Sequence, residues 1–316
     1  MSQRKKTGIL PILIISVVCV MIAVGTILVL LALGFFGIGE GIYIPLVSAK
    51  KIAVIDVIGT LYESDGIISQ LKRHRKNGSV GAIILHIESP GGTVGASQEI
   101  YQEILRTREE YHLPVFASLG GIAASGGYYI ASACEKIYAN PGTITGSIGV
   151  ILNFPNMEEL FSKIGLRFTV IKTGEYKDIG SSFREMTEEE KTILQDMIDD
   201  VFDQFVEAVV DGRLEAISEI LSLPKDAENK KALVTEKVYE LADGRVFSGR
   251  QALDYGLVDE LGTLEDVIWA VADEIGIKGE PSVIRFEEPK SILEGIFGKN
   301  STRIFDDNPK IQYIWR

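Results

Sequence analysis

Residues 113–132 read LPVFASLGGIAASGGYYIAS. The first eight form a β-branched and aromatic apolar run opened by a proline, the pattern of a buried strand. That run passes without a linker into two Gly-Gly pairs around one hydroxyl, Ser125, and then into SGGYYIASA, which reads as a helix start. A strand feeding a helix through a tight turn is the building unit of α/β folds. Residues this small crowd together for one of two reasons. Either a helix and a sheet approach closely here, or a ligand must come close to Ser125.

The pattern extends on both sides. Upstream, AKKIAVIDVIGTL (49–61) predicts a strand, 64–77 a helix with a basic end, and VGAIILHIES (80–89) a second buried strand. A Pro-Gly-Gly turn then leads into a helix that runs to about His112. Downstream, 136–154 reads as short strands with turns, 157–165 as a helix and LRFTVIKTG (166–174) as a strand. Thr187 opens a long helix, with Glu190 three residues on as the partner of a capping box. Ile193, Met197, Val201, Phe205 and Val209 give that helix one apolar stripe. Residues 218–242 predict a charged loop, and 248–262 and 263–276 two further helices. Strands alternating with helices predict a largely parallel sheet.

Between Lys6 and Glu40 lie 33 residues without a charge, enough to cross a hydrocarbon core that needs about 20 helical residues. The run is too long for the apolar region of a cleaved signal peptide. Arg4, Lys5 and Lys6 place the short tail in the cytoplasm and the body outside. The expected organisation is a cytoplasmic tail (1–6), a transmembrane anchor (7–39) that meets membrane lipid, a linker (40–50), a catalytic domain (51–286) and a C-terminal tail (287–316). The chain carries a net charge of −12, and its three N-terminal basic residues belong to the tail. A body this acidic repels phosphate backbones, which excludes nucleic acid as a partner. Cys19 and Cys134 lie in different segments and have no His or Cys at zinc spacing, so neither a disulfide nor a metal site is expected.

Ser125 at a strand-to-helix junction faces the amide end of the helix, where unpaired N–H groups favour a developing oxyanion. Gly126 leaves room for a carbonyl and offers its own N–H. A second glycine turn, ESPGG (88–92), ends the neighbouring strand. In a parallel sheet such ends share one edge, so Gly91 and Gly92 offer donors beside Ser125. A serine nucleophile also needs a base. His74 lies in a basic run and reads as solvated, His112 reads as a helix-end residue, and His86 reads as a residue within a strand. None follows Ser125, so the usual Ser-His-Asp orders find no match. Lysine is the alternative, provided that burial lowers its pKa from about 10.4 toward 7–8. Lys177, in a Gly-bounded loop, and Lys172, within the preceding strand, are the candidates.

ESPGG, GGIAASGGYYIASA (120–133), GTITGSIGV (142–150), GEYKDIGSSFREMTEEE (174–190) and DGRVFSGRQALDYGLVDELG (243–262) occur in the order found in bacterial and archaeal signal peptide peptidase A. The chain resembles that family over about 52–275. The resemblance implies a crotonase/Clp-protease-like α/β superhelix, with Ser125 as nucleophile and Lys177 as general base. It implies an oxyanion hole at Gly91 and Gly92 with the Gly126 amide nearby. It further implies no cofactor, a homo-oligomeric ring, and hydrophobic peptides such as cleaved signal peptides as substrates. Glu88 stands where the family often has Asp, and Ser182 where it often has Pro. The charged stretch 224–231 looks longer than in the family. The alternative readings are a crotonase-type acyl-CoA enzyme, or a non-catalytic scaffold of the same fold.

Overall fold

The computed structural model of the chain describes residues 18, 20–26, 50–285 and 312–314. The chain divides into two units, Met1–Ser48 and Ala49–Arg316. In the first, positions 18 and 20–26 are helical, and the rest of the expected anchor lies outside the described residues. Among the described residues no helix is long and apolar enough to cross a membrane.

The second unit is built on β1 (Lys51–Ile58), α1 (Asp65–Arg75), β2 (Val80–Ser89), β3 (Gly91–Thr93), α2 (Val94–Glu109), β4 (Val115–Ala124) and α3 (Gly126–Ser132). Then follow β5 (Ile137–Ala139), β6 (Ile144–Gly146), α4 (Glu158–Lys163), α5 (Glu188–Ile220) and α6 (Lys230–Leu241). The remainder is β7 (Val246–Ser248), α7 (Gly249–Asp254), β8 (Glu260–Leu261), α8 (Leu264–Glu274), β9 (Val283–Arg285) and β10 (Gln312–Ile314). Among the described residues the main sheet has eight strands in the order β7-β6-β4-β2-β1-β9, with β5 beside β4 and β8 beside β5. Every ladder in it is parallel except β6 with β7.

Parallel strands buried on both faces read as continuous apolar runs, and β1 and β2 show why. Ala53, Ile55 and Val57 of β1, with Ile83, Leu85 and Ile87 of β2, join the larger core beneath α1, α2, α3 and α5. Ile52, Val54, Ala82 and Ile84 face the other way, onto Val267, Ile268, Val271 and Ala272 of α8. β4 pairs with β5 through residues 117–119 and with β6 through residues 122–124, so its partner changes at Gly120-Gly121. At the same place the register with β2 slips, Ile87 facing Leu119 and Ser89 facing Ala123. The Glu88 carboxylate fills that bulge and accepts the Gly121 N–H at 2.7 Å. The bulge turns the end of β4 out of the sheet's regular line and toward Ser125.

Three local expectations differ from what is found. Residues 166–174 form no strand, because no neighbouring strand among the described residues takes up their backbone groups. Residues 218–242 are not all loop. Val234, Val238 and Leu241 form a buried stripe that makes 230–241 a helix, a period masked by the surrounding charges. His74 is not solvated but buried, since α1 turns it inward at helical spacing from Leu71.

Neither ring nitrogen of His74 has a partner among the described residues, and burial followed by the Arg73 charge lowers its pKa. The folded protein therefore resists protonating His74, whereas the unfolded chain takes up the proton near pH 6.5. Stability contributed by the neutral ring is complete above that pH and is lost as pH falls through the lowered folded value. Urea midpoints measured from pH 7.5 to 5 decline in the wild type, and His74→Leu flattens that decline. An equal decline in both proteins would remove His74 from the account.

Candidate active site

Ser125 is 1% exposed and sits between β4 and α3 with φ 53° and ψ −118°. A non-glycine residue at positive φ costs about 1–3 kcal/mol and persists only when the surroundings hold it. Here they do. The Ser125 N–H donates to the Gly146 carbonyl at 2.8 Å, and its carbonyl accepts the Tyr129 N–H at 2.8 Å. Small neighbours on both sides, Ala123-Ala124 and Gly126-Gly127, let the turn be this sharp, as in the nucleophile elbows of unrelated hydrolases. No side chain among the described residues forms a hydrogen bond to the Ser125 hydroxyl.

The Pro-Gly-Gly turn lies against this elbow. A β-carbon at Gly126 would stand 2.6 Å from Ser97 Oγ, 3.1 Å from the Gly92 nitrogen and 3.2 Å from the Gly91 Cα, so only glycine fits. Gly91 has φ 103°, a conformation that side chains disfavour, and its N–H is held by Ser89 Oγ at 3.1 Å. The Gly91 carbonyl accepts the Leu61 N–H, and the Thr93 N–H donates to the Leu61 carbonyl, both at 2.8 Å. Along a strand these groups alternate in direction, so the N–H and carbonyl of Gly92 point the other way. That free side is where β10 pairs antiparallel with β3, Tyr313 opposite Gly92. The amides of Gly92 and Gly126 thus border the serine, and Gly91 shapes the turn.

Two further hydroxyls take part that sequence reading passed over. Ser89 holds the turn through Gly91. Ser97, fully buried in the first turn of α2, donates to the Thr93 carbonyl at 3.0 Å and packs on Gly126. Ser97 falls one helical turn after Thr93, the spacing at which a serine bonds back to its own helix.

Ser125, Gly91, Gly92 and Gly126 are therefore together, and Lys177 is not with them in the single chain. It is exposed, in a stretch from 151 to 189 in which no residue is buried. No hydrogen bond or ion pair joins it to Ser125 among the described residues. Lys172, the competing lysine, has its amine engaged with Asp178 Oδ1 at 2.6 Å and the Glu175 carbonyl at 2.5 Å. His86 is in mid-strand on β2, and His112 follows α2 at φ 50°. No group of His, Cys, Asp and Glu among the described residues could hold a metal ion.

The arrangement has the parts for acyl transfer: a strained, buried hydroxyl beside the Gly92 and Gly126 amides, next to an edge on which a strand already pairs. Proteins with related sequences carry protease names. The profile of Peptidase family S49 matches residues 107–228 and 225–278, and that of Clp protease matches 40–144. The chain is 44% identical to "Putative protease slr0021" of Synechocystis sp. over 80% of its own length and 84% of that protein. It is 32% identical to "Putative signal peptide peptidase SppA" of Enterococcus faecium, over 72% of this chain and 64% of that one. To "Serine protease SPPA, chloroplastic" of Arabidopsis thaliana it is 30% identical over 75% of this chain and 33% of that protein. With a Clp-protease-like α/β sheet, a serine elbow and matches across more than half its length, the chain belongs to peptidase family S49 and is a serine-type protease.

Proposed function

We propose that the chain is a membrane-anchored endopeptidase that cuts hydrophobic peptides, such as signal peptides released from preproteins, with a Ser125/Lys177 dyad. The observation that carries this reading is the strained elbow at Ser125 packed through Gly126 on the Gly91-Gly92 turn. Ser125 Oγ attacks the scissile carbonyl while Lys177 Nζ takes its proton. The tetrahedral oxyanion lies against the Gly92 and Gly126 amides. Collapse breaks the C–N bond, and the lysine returns the proton to the leaving amine. Water then attacks the acyl-serine, again giving a proton to Lys177. The acid is released and the hydroxyl restored.

Two features support the substrate and the assembly. The edge of β3 accepts an extended strand, β10, and a peptide that takes that strand's place presents its carbonyl to the same amides. The base stands on a stretch with no buried residue, and Ile193 and Met197, the first two members of the α5 stripe, remain exposed. A second copy of the chain, in a ring, covers that surface and brings Lys177 to its neighbour's Ser125. A lysine base must be neutral, and enclosure between copies supplies the desolvation that favours the neutral amine. The uncharged run 7–39 anchors the body on the extracytoplasmic face.

Reaction with a fluorophosphonate probe tests the reading. The intact protein takes up one probe per chain at Ser125, and both Ser125→Ala and Lys177→Ala lose it. A folded wild type that stays unlabelled and leaves apolar peptides intact overturns it.

A further inference from the structure

Lys177 stands between two tethered neighbours. On one side the Tyr176 hydroxyl donates to Glu189 Oε1 at 2.5 Å. On the other, Arg184 grips the Asp178 carboxylate with two prongs, Nε to Oδ2 at 3.1 Å and Nη2 to Oδ1 at 2.8 Å. The same guanidinium reaches Glu190, Nη1 to Oε2 at 2.7 Å and Nη2 to Oε1. Glu190 is 2% exposed, and its Oε2 also accepts the Thr187 N–H at 2.9 Å as half of the capping box. Both residues flanking Lys177 are thus tied to the first turn of α5. The lysine's own amine has no hydrogen-bond or ion-pair partner among the described residues.

We propose that Arg184, through Asp178 and Glu190, is a positioning residue: it locks the 174–184 turn onto the start of α5 so that the Lys177 amine is presented in one fixed place. The inference rests on the reading of Lys177 as the base. It goes beyond that reading by naming what holds the base where proton transfer needs it. Four donor contacts in one planar guanidinium, made to two carboxylates, define an orientation that a flexible ammonium does not reproduce. Arg184 and Asp178 are partly exposed, and pairs of that kind contribute little to global stability, so the effect of their contact lies in geometry. Arg184 and Lys172 hold the Asp178 carboxyl well below the usual carboxylate range. Arg184 and the Thr187 amide lower Glu190 to about 2. Both acids therefore stay charged wherever the enzyme works, and the clamp does not itself titrate there.

The test uses the full-length protein in detergent with a fluorogenic apolar peptide. Arg184→Lys keeps the charge and removes the fork. Misplacing a catalytic group by about 1 Å can cost about 100-fold, so kcat falls at least tenfold while KM stays within about twofold. The acid limb of kcat/KM moves to higher pH, because a loosened loop leaves the amine in water, which favours its charged form. Asp178→Asn gives the same pattern from the other side of the contact. Thermal midpoint and oligomeric state are unchanged, and adding Arg184→Lys to Lys177→Ala lowers the residual peptide turnover no further. Wild-type turnover in Lys177→Ala removes the base reading and the clamp with it. An inactive Lys177→Ala beside fully active Arg184→Lys and Asp178→Asn leaves the base standing and overturns the clamp. Dissociation of the oligomer, or a further loss on the Lys177→Ala background, shows a merely structural role and overturns it too.

Discussion

Ser125→Ala and Lys177→Ala, each inactive alone, regain peptidase activity when assembled together. Loss of either member of a nucleophile–base pair lowers kcat by about 10⁴-fold or more, because the two act as one unit. In a single chain the elbow is buried, while the lysine sits on a stretch with no buried residue. A base donated across a subunit contact gives a clear numerical expectation. In a randomly mixed ring, a site works only where a chain with intact Ser125 faces one with intact Lys177, about one site in four. Co-expression of the two variants with different tags, followed by sequential purification, isolates the mixed assemblies. About a quarter of wild-type turnover is expected from them. Activity no higher than that of the separate variants would show that serine and lysine come from the same chain.

The elements legible in the sequence were those whose signal is local. The apolar runs of β1, β2 and β4, the Thr187–Glu190 capping box and the two glycine turns all appear where pattern and chemistry place them. The turns could be set on one edge because parallel strands end together, which is a topological rule and needs no contact information. What was not legible depends on partners distant in sequence. The stretch 166–174 has strand composition but no strand beside it. His74 looks solvated in a run of basic residues, and only the packing of α1 reveals that it is buried. The Ser89 bond to Gly91 could have been suspected, since a serine two residues before a glycine at a turn is placed to bond its N–H. The Arg184 network could not. Its three residues are spread over 178–190, and nothing in their spacing says that one guanidinium joins both acids.

Arg213→Ala destabilises the protein by about 3–5 kcal/mol, because it empties the space of a buried side chain and leaves the partly buried Asp259 carboxylate without its partner. Arg213 is 2% exposed on α5, and its fork meets Asp259 at 2.7 and 2.8 Å while Nε donates to the Gly256 carbonyl at 2.9 Å. Asp259 in turn accepts the Ile137 N–H at 2.7 Å, which ties this turn to β5. Two residues before Asp259, the Leu257 carbonyl accepts the hydroxyl of Tyr128, and Tyr128 lies three residues after Ser125. Arg213 therefore joins the long helix to the turn on which the serine helix hangs. For a domain of this size each kcal/mol is about 2–4 °C, so the thermal midpoint falls by about 6–20 °C. Replacing both partners, Arg213→Met with Asp259→Leu, strands no charge and recovers most of the loss. It does not recover all of it, because the Ile137 N–H is then buried without an acceptor, a penalty of about 1–3 kcal/mol. Chemical denaturation of the three proteins separates these contributions. If Arg213→Ala costs no more than the double variant, the stranded carboxylate is not the cause. The ion pair then serves to fix the position of α5, and probe uptake at Ser125 falls further than the change in denaturation midpoint accounts for.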